Sequence, residues 1–279
     1  MSVLRRKYDT LLAILRKQKR LLIAFSGGCD STFLLATART TLGKENVLAV
    51  TAVSASLAAQ EKESAQALAE GLDVPFLGLN TDELENPAYV ANPSNRCFFC
   101  KDELFGKLAP LAAQHSMRLA DGFNASDRSD FRPGFQASQK WHVIHPLNDA
   151  DLTKHDIRVL SRWRGLATWR KPASPCLSSR IPYGTPVTNK ILRQIEFSES
   201  LLHEEGFRIV RVRHFGNEAR IEVPLKDLAR LQEPDRWARI AERVRSVGYE
   251  QVVADIRGFK SGRLNEKAPS LSVRSTEIP

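Results

Sequence analysis

Short unbroken apolar runs alternate along this chain with stretches of helical spacing, and that alternation sets the expected elements. Residues 21–25 read LLIAF, a run short enough for a strand buried on both faces, and after SGGCDS the apolar positions resume as a helix expected over residues 30–42. The succession repeats. Residues 47–53 read as a second strand, 58–70 as a helix stopped near Gly71, 74–79 as a third strand, 98–113 as a helix and 118–121 as a short strand. Such a β-α-β-α-β order predicts a parallel sheet with right-handed crossovers and ligand groups at the carboxyl ends of its strands. The first twenty residues form a basic amphipathic helix on the same reading.

The second half reads differently. Residues 121–134 are polar and marked by Gly and Pro, as a loop; His145-Pro146-Leu147 is expected to end a short strand, and Thr153 to cap a helix. Pro172, Pro175, Pro182 and Pro186 make a non-helical connector, placing a domain boundary near Tyr183. Beyond it, helices are expected at 189–205, 225–231 and 235–247. Strands are expected at 207–214, 220–223 and 251–256, the first two meeting around Gly216-Asn217. The expected organisation is an α/β domain over 1–183, a smaller C-terminal α+β domain over 184–260 that binds substrate or mediates oligomerisation, and a flexible polar tail over 261–279.

Composition narrows the class. At 279 residues, 42% hydrophobic and 26% charged, the chain suits a globular enzyme of two modest domains. No apolar run approaches the ~18 residues of a membrane span, and the start lacks a signal-peptide core, so a cytoplasmic protein without membrane attachment is expected. A net charge of +9 favours anionic partners, yet Lys and Arg are spread without interleaved aromatics, which argues against nucleic acid. In a reducing compartment the four cysteines point to reactivity or metal rather than disulfides. Cys97 and Cys100 form a C-x-x-C, Cys176 lies in Pro175-Cys176-Leu177, and Cys29 sits between the glycines and Asp30.

The segment Ser26-Gly27-Gly28-Cys29-Asp30-Ser31 carries the most chemistry. Adjacent glycines let the backbone turn sharply toward a ligand, two serines supply hydroxyls, and a helix N-terminus offers N–H groups to an anion. The Walker lysine and the dinucleotide G-x-G-x-x-G are both missing. Cys97, Cys100 and Cys176 would suit a zinc site or a redox pair. Arg211 and Arg213 alternate on an expected strand and so share a face, where two forks could grip a phosphate or merely meet solvent. Glu199 and Glu222 are candidates for a divalent ion or for pairing those arginines.

The S-G-G-x-D-S loop resembles that of the PP-loop ATP pyrophosphatase superfamily, whose Rossmann-like fold is of the adenine nucleotide alpha hydrolase type. With D-G-F-N-A-S-D at 121–127, F-R-P-G at 131–134, P-A-S-P-C-L-S-S-R at 172–180, and R-V-R and R-I-E within 211–222, nearly the whole chain resembles the LarE family of ATP-dependent sulfur transferases. That resemblance implies Ser26, Gly27, Gly28 and Ser31 on the pyrophosphate of ATP, with Asp30 capping the helix near Mg²⁺. It implies that ATP adenylates a carboxylate of pyridinium-3,5-biscarboxylic acid mononucleotide and that sulfur then displaces AMP, toward the nickel-pincer nucleotide cofactor. Cys176 would bear the sulfur, and Cys97, Cys100 and Cys176 match members whose three cysteines hold a 4Fe-4S cluster. Arg180 would favour the thiolate or neutralise phosphate, Arg211 and Arg213 would hold the substrate phosphate, and Asp127 and Arg132 would touch ATP or substrate. A sulfide donor and a homo-oligomer are further implications. A tRNA thiolase, an ammonia-delivering ligase, an ATP sensor and sacrificial use of Cys176 are the competing readings.

Overall fold

The computed structural model describes residues 3–129, 133–172 and 174–260; Arg132 and the expected tail at 261–279 lie outside them. The chain divides into two compact units after Cys176, whereas the prolines had pointed to Tyr183.

The first unit is α/β. In chain order its elements are α1 (Val3–Gln18), β1 (Leu21–Ala24), α2 (Cys29–Leu42), β2 (Val47–Val53), α3 (Ala59–Gly71), β3 (Phe76–Asn80), α4 (Pro87–Val90), α5 (Arg96–Gln114), β4 (Arg118–Ala120), α6 (Gly134–Lys140), α7 (Pro146–Asp149) and α8 (Lys154–Trp163). The strands lie in the order β3-β2-β1-β4, every pairing parallel, with Leu21 opposite Val47 on one side and Arg118 on the other. All four residues of β1 are buried, as a central strand covered on both faces requires. Leu21, Ile23, Phe33, Leu34 and Leu35 pack on one face with Leu11 and Leu15 of α1, while Leu22 and Val50 meet Phe105 and Leu108 of α5 on the other. The chain moves one way from β1 through β2 to β3 and then returns to β1's other edge, so β1 ends at the point where the strand order reverses. Open α/β sheets bind ligands in the crevice at that point.

One expected strand is not present. Ile144 makes a single parallel bridge to Ala120, after which Pro146–Asp149 turns as a short helix. Pro146 lacks the N–H a ladder needs and is pre-set for a first helical turn.

The second unit begins at Leu177 and contains α9 (Asn189–Glu204), β5 (Arg211–Phe215), β6 (Glu218–Glu222), α10 (Leu225–Leu231), α11 (Pro234–Arg245) and β7 (Gln251–Ala254). β5 and β6 form an antiparallel hairpin around Gly216, whose φ of 63° suits the tight turn, and β7 pairs parallel to β6. Leu202, Phe207, Val212, Ile221, Ile240 and Val244 fill its own core. Among the described residues no helix is long and apolar enough to cross a membrane.

Candidate functional site

The loop between β1 and α2 is closed by its serines. The Ser26 and Ser31 hydroxyls lie 3.1 Å apart, and the Ser31 hydroxyl donates to the Gly28 carbonyl at 3.3 Å. Gly27 has φ of +65°, the left-handed region, and a Cβ there would stand 3.2 Å from the Cα of Ala65 on α3. Gly28, with φ −77°, is the N-cap of α2 and no side chain caps this end, so the first turn's N–H groups are left to an anion. The expectation that Asp30 caps the helix is therefore corrected. Asp30 lies inside the first turn, where one carboxylate oxygen pairs with Lys154 and Oδ1 is buried without a hydrogen-bond partner.

Two lysines meet this loop from distant sequence. Lys154, the first residue of α8, is held by a capping box in which Thr153 and Asp156 bond each other's backbone N–H. Lys171 reaches back so that its Nζ lies 2.7 Å from Glu61 Oε2 and 3.3 Å from the Gly27 carbonyl. Neither stood out in the sequence, because a lysine far along the chain carries no local motif.

The polar loop after β4 packs onto the same end of the sheet. A Cβ on Gly122 would approach the Ser31 amide nitrogen to 3.0 Å, so this glycine permits the close contact of two ligand loops. Asp121 accepts from His145 Nδ1 at 2.7 Å and from the Phe123 amide at 3.0 Å; burial works against its charge, but the His145 bond leads a set of contacts that hold it below the usual carboxylate range. Asp127, expected to touch ATP or substrate, is buried and accepts from the Asn124 amide at 3.0 Å, which shapes the loop itself.

Cys97 and Cys100 lie in the first two turns of α5, three residues apart and so on one face. Cys97 is exposed, Cys100 and Cys176 are half-buried. Burial pushes the Cys100 thiol strongly up, and the nearby negative charges of Cys176, Glu83 and Cys97 push it further, which places the three sulfurs in one neighbourhood. Glu83, unremarked in the sequence, is 4% exposed; its Oε1 lies 3.9 Å from Cys100 Sγ and accepts from Ser56 at 3.1 Å, while Oε2 is buried without a partner. Among the described residues no three His, Cys, Asp or Glu side chains are gathered tightly enough to hold a metal ion as they stand. The three cysteines are nonetheless of the donor type that soft metal centres take, since sulfur ligands suit zinc and iron–sulfur clusters. Cys29 stands apart from this group, buried with its Sγ 3.9 Å from the Ser161 hydroxyl.

The second unit holds the remaining candidates, all buried. Arg180 grips Glu199 through two bonds of 2.9 and 2.7 Å, and Arg213 bonds Glu222 at 3.0 Å and the Ser179 carbonyl at 2.9 Å. Arg211 and Arg213 share a face of β5 as expected. Desolvation, then the charge of Arg180, lowers Arg211 to about 10. The pairing alternative for the glutamates is thus the arrangement present. Three guanidiniums against two carboxylates leave the group one positive charge in excess.

Over 95% of its length the chain is 36% identical to the pyridinium-3,5-bisthiocarboxylic acid mononucleotide synthase of Lactiplantibacillus plantarum, covering 96% of that protein. The chain belongs to this family, LarE. It is 39% identical to an uncharacterized protein of Synechocystis sp., spanning 94% of this chain and 98% of that one. An uncharacterized protein of Methanocaldococcus jannaschii is 24% identical over 88% of the chain and 92% of its own length. The NAD synthase family profile matches residues 6–90, which take in β1, the phosphate loop and α2. As a LarE member the chain is an enzyme of the ATP-using, sulfur-transferring PP-loop class, on the Rossmann-like fold described above.

Proposed function

We infer that the chain uses ATP to adenylate the carboxylates of pyridinium-3,5-biscarboxylic acid mononucleotide and replaces the activated oxygen with sulfur, toward the nickel-pincer nucleotide cofactor. The observation that carries the reading is one compact unit holding both a phosphate loop at the sheet's switch point and a neighbourhood of three cysteines. In the first step a substrate carboxylate oxygen attacks the α phosphorus of ATP and pyrophosphate leaves. Ser26, Gly27, Gly28 and Ser31 with the open first turn of α2 bind that pyrophosphate, and the orphaned Oδ1 of Asp30 suits Mg²⁺. In the second step sulfur attacks the acyl carbon and AMP leaves, a far better leaving group than the oxide of a free carboxylate.

Cys97, Cys100 and Cys176 would hold a 4Fe-4S cluster, which when bound supplies an iron position open to a non-protein sulfide. The excess positive charge of Arg180, Arg211 and Arg213 suits the substrate's phosphate, with Glu199 and Glu222 fixing the guanidiniums between visits. An external sulfide donor and a homo-oligomer belong to the same reading.

Anaerobic purification followed by absorption spectroscopy, intact mass and a product assay tests it. A broad visible band lost in Cys97→Ala, with release of AMP, pyrophosphate and thiocarboxylate, is expected. A colourless protein whose mass falls by H₂S at Cys176 after turnover would restore the sacrificial route. Thiolation of tRNA would replace the substrate altogether, and release of neither AMP nor pyrophosphate would leave only a nucleotide sensor.

A further inference from the structure

Lys171 is unusually well built for a lysine that contributes so little to the fold. Its backbone carbonyl accepts from Arg158 of α8 at 3.0 Å, and the same guanidinium bonds the Trp169 carbonyl, so the main chain is fixed while the side chain extends to the phosphate loop. There the ammonium meets Glu61 at 2.7 Å and the Gly27 carbonyl at 3.3 Å. The ion pair is partly open, with the two side chains 21% and 28% exposed, and pairs of that kind stabilise little. An arriving anion can therefore take the lysine over.

The loop itself supplies no cationic side chain. Ser26 to Ser31 contains no lysine or arginine and does contain Asp30, whose Lys154 partner is already engaged. Lys154 neutralises Asp30, so what remains is the triphosphate's own charge, of which Mg²⁺, backbone N–H groups and one helix end offset a part. Lys171 stands at the residue, Gly27, where the backbone turns through positive φ around the anion's place.

We propose that Lys171 is the pyrophosphate-binding cation of the ATP site, parked on Glu61 and the Gly27 carbonyl until the β and γ phosphates displace them. The proposal rests on the ATP reading above and replaces the missing Walker lysine with one delivered from the segment that leads to Cys176. Glu61 is then the ammonium's resting partner, which competes with the phosphates for Lys171 and does not touch the nucleotide.

Calorimetric titration of the whole chain with Mg-ATP, pyrophosphate and AMP separates this from a mere tether. Lys171→Gln is expected to weaken ATP and pyrophosphate binding by about tenfold to a hundredfold, the value of one charge-assisted bond, and to leave AMP affinity unchanged. Lys171→Arg should recover most of the loss. Glu61→Gln breaks the same ion pair while keeping the charge, so it should bind pyrophosphate as well as or better than the wild type. Wild-type affinity in Lys171→Gln, or an equal loss in Glu61→Gln, overturns the proposal. If Lys171→Gln does not fold, the Glu61→Gln arm decides by the same sign. A wild-type chain that binds neither ATP nor pyrophosphate overturns the underlying ATP reading instead.

Discussion

At the scale of single residues, the two loop glycines are not equivalent. Gly27 needs its missing side chain twice, once for φ of +65° and once for the 3.2 Å approach of Ala65, whereas Gly28 has ordinary φ and would place a Cβ 3.3 Å from the Ser26 hydroxyl, which can rotate. Gly27→Ala should therefore cost about 1–2 kcal/mol and loosen ATP binding as α3 gives way, while Gly28→Ala should be the milder change. Paired denaturation curves and ATP titrations of the two variants check this, and equal effects would show that α3 does not brace the loop. The dipeptide announced a phosphate loop in the sequence. Which glycine is strained depended on α3, more than thirty residues away, and was invisible there.

At the scale of elements, β1, the loop and α2 were legible because periodicity, glycines and a helix start are local signals. The cap of α8 was legible for the same reason, as Thr153 precedes Asp156 by three residues, and the structure shows the full capping box. What α8 does was not legible. It carries Lys154 to Asp30 across 124 positions and Arg158 to the carbonyls that fix Lys171, contacts set by tertiary packing alone. Glu83 escaped likewise, since a carboxylate in a single 3₁₀ turn has no periodic signature until the fold brings Cys100 beside it. Because α8 carries Lys154 and its Arg158 fixes the backbone of Lys171, Thr153→Ala should do more than shorten a helix. A loss of about 1 kcal/mol in urea unfolding is expected from the cap. Weaker ATP binding should accompany it, because fraying starts at Lys154; unchanged ATP affinity would show that the first turn of α8 is held without its cap.

At the scale of the whole molecule, the two units carry different acid sensitivities because they bury different titratable groups. In the second unit His214 is buried on β5 with Nδ1 3.2 Å from the Tyr249 hydroxyl, and desolvation lowers its pKa from the ordinary 6.5. The unfolded chain then takes up a proton that the folded unit resists. The stability this represents is fully present above pH 6.5 and is lost as the pH falls from there toward the lowered folded value. In the first unit the displaced acidic group in the buried site is Asp121, lowered from 3.8 because the His145 bond and its companions outweigh the burial that opposes them. Its contribution is present above 3.8 and fails only below. Mild acid between these limits should accordingly weaken the second unit first. Urea unfolding of the intact chain at neutral and mildly acid pH, with pulsed hydrogen exchange read peptide by peptide, should show β5 to β7 and α11 opening at lower urea in acid while β1 to β4 hold their midpoint. His214→Gln, which keeps a hydrogen-bonding amide but cannot titrate in this range, should remove the difference. An acid shift that persists in that variant, or one that appears equally in both units, would place the sensitivity elsewhere than in the buried imidazole.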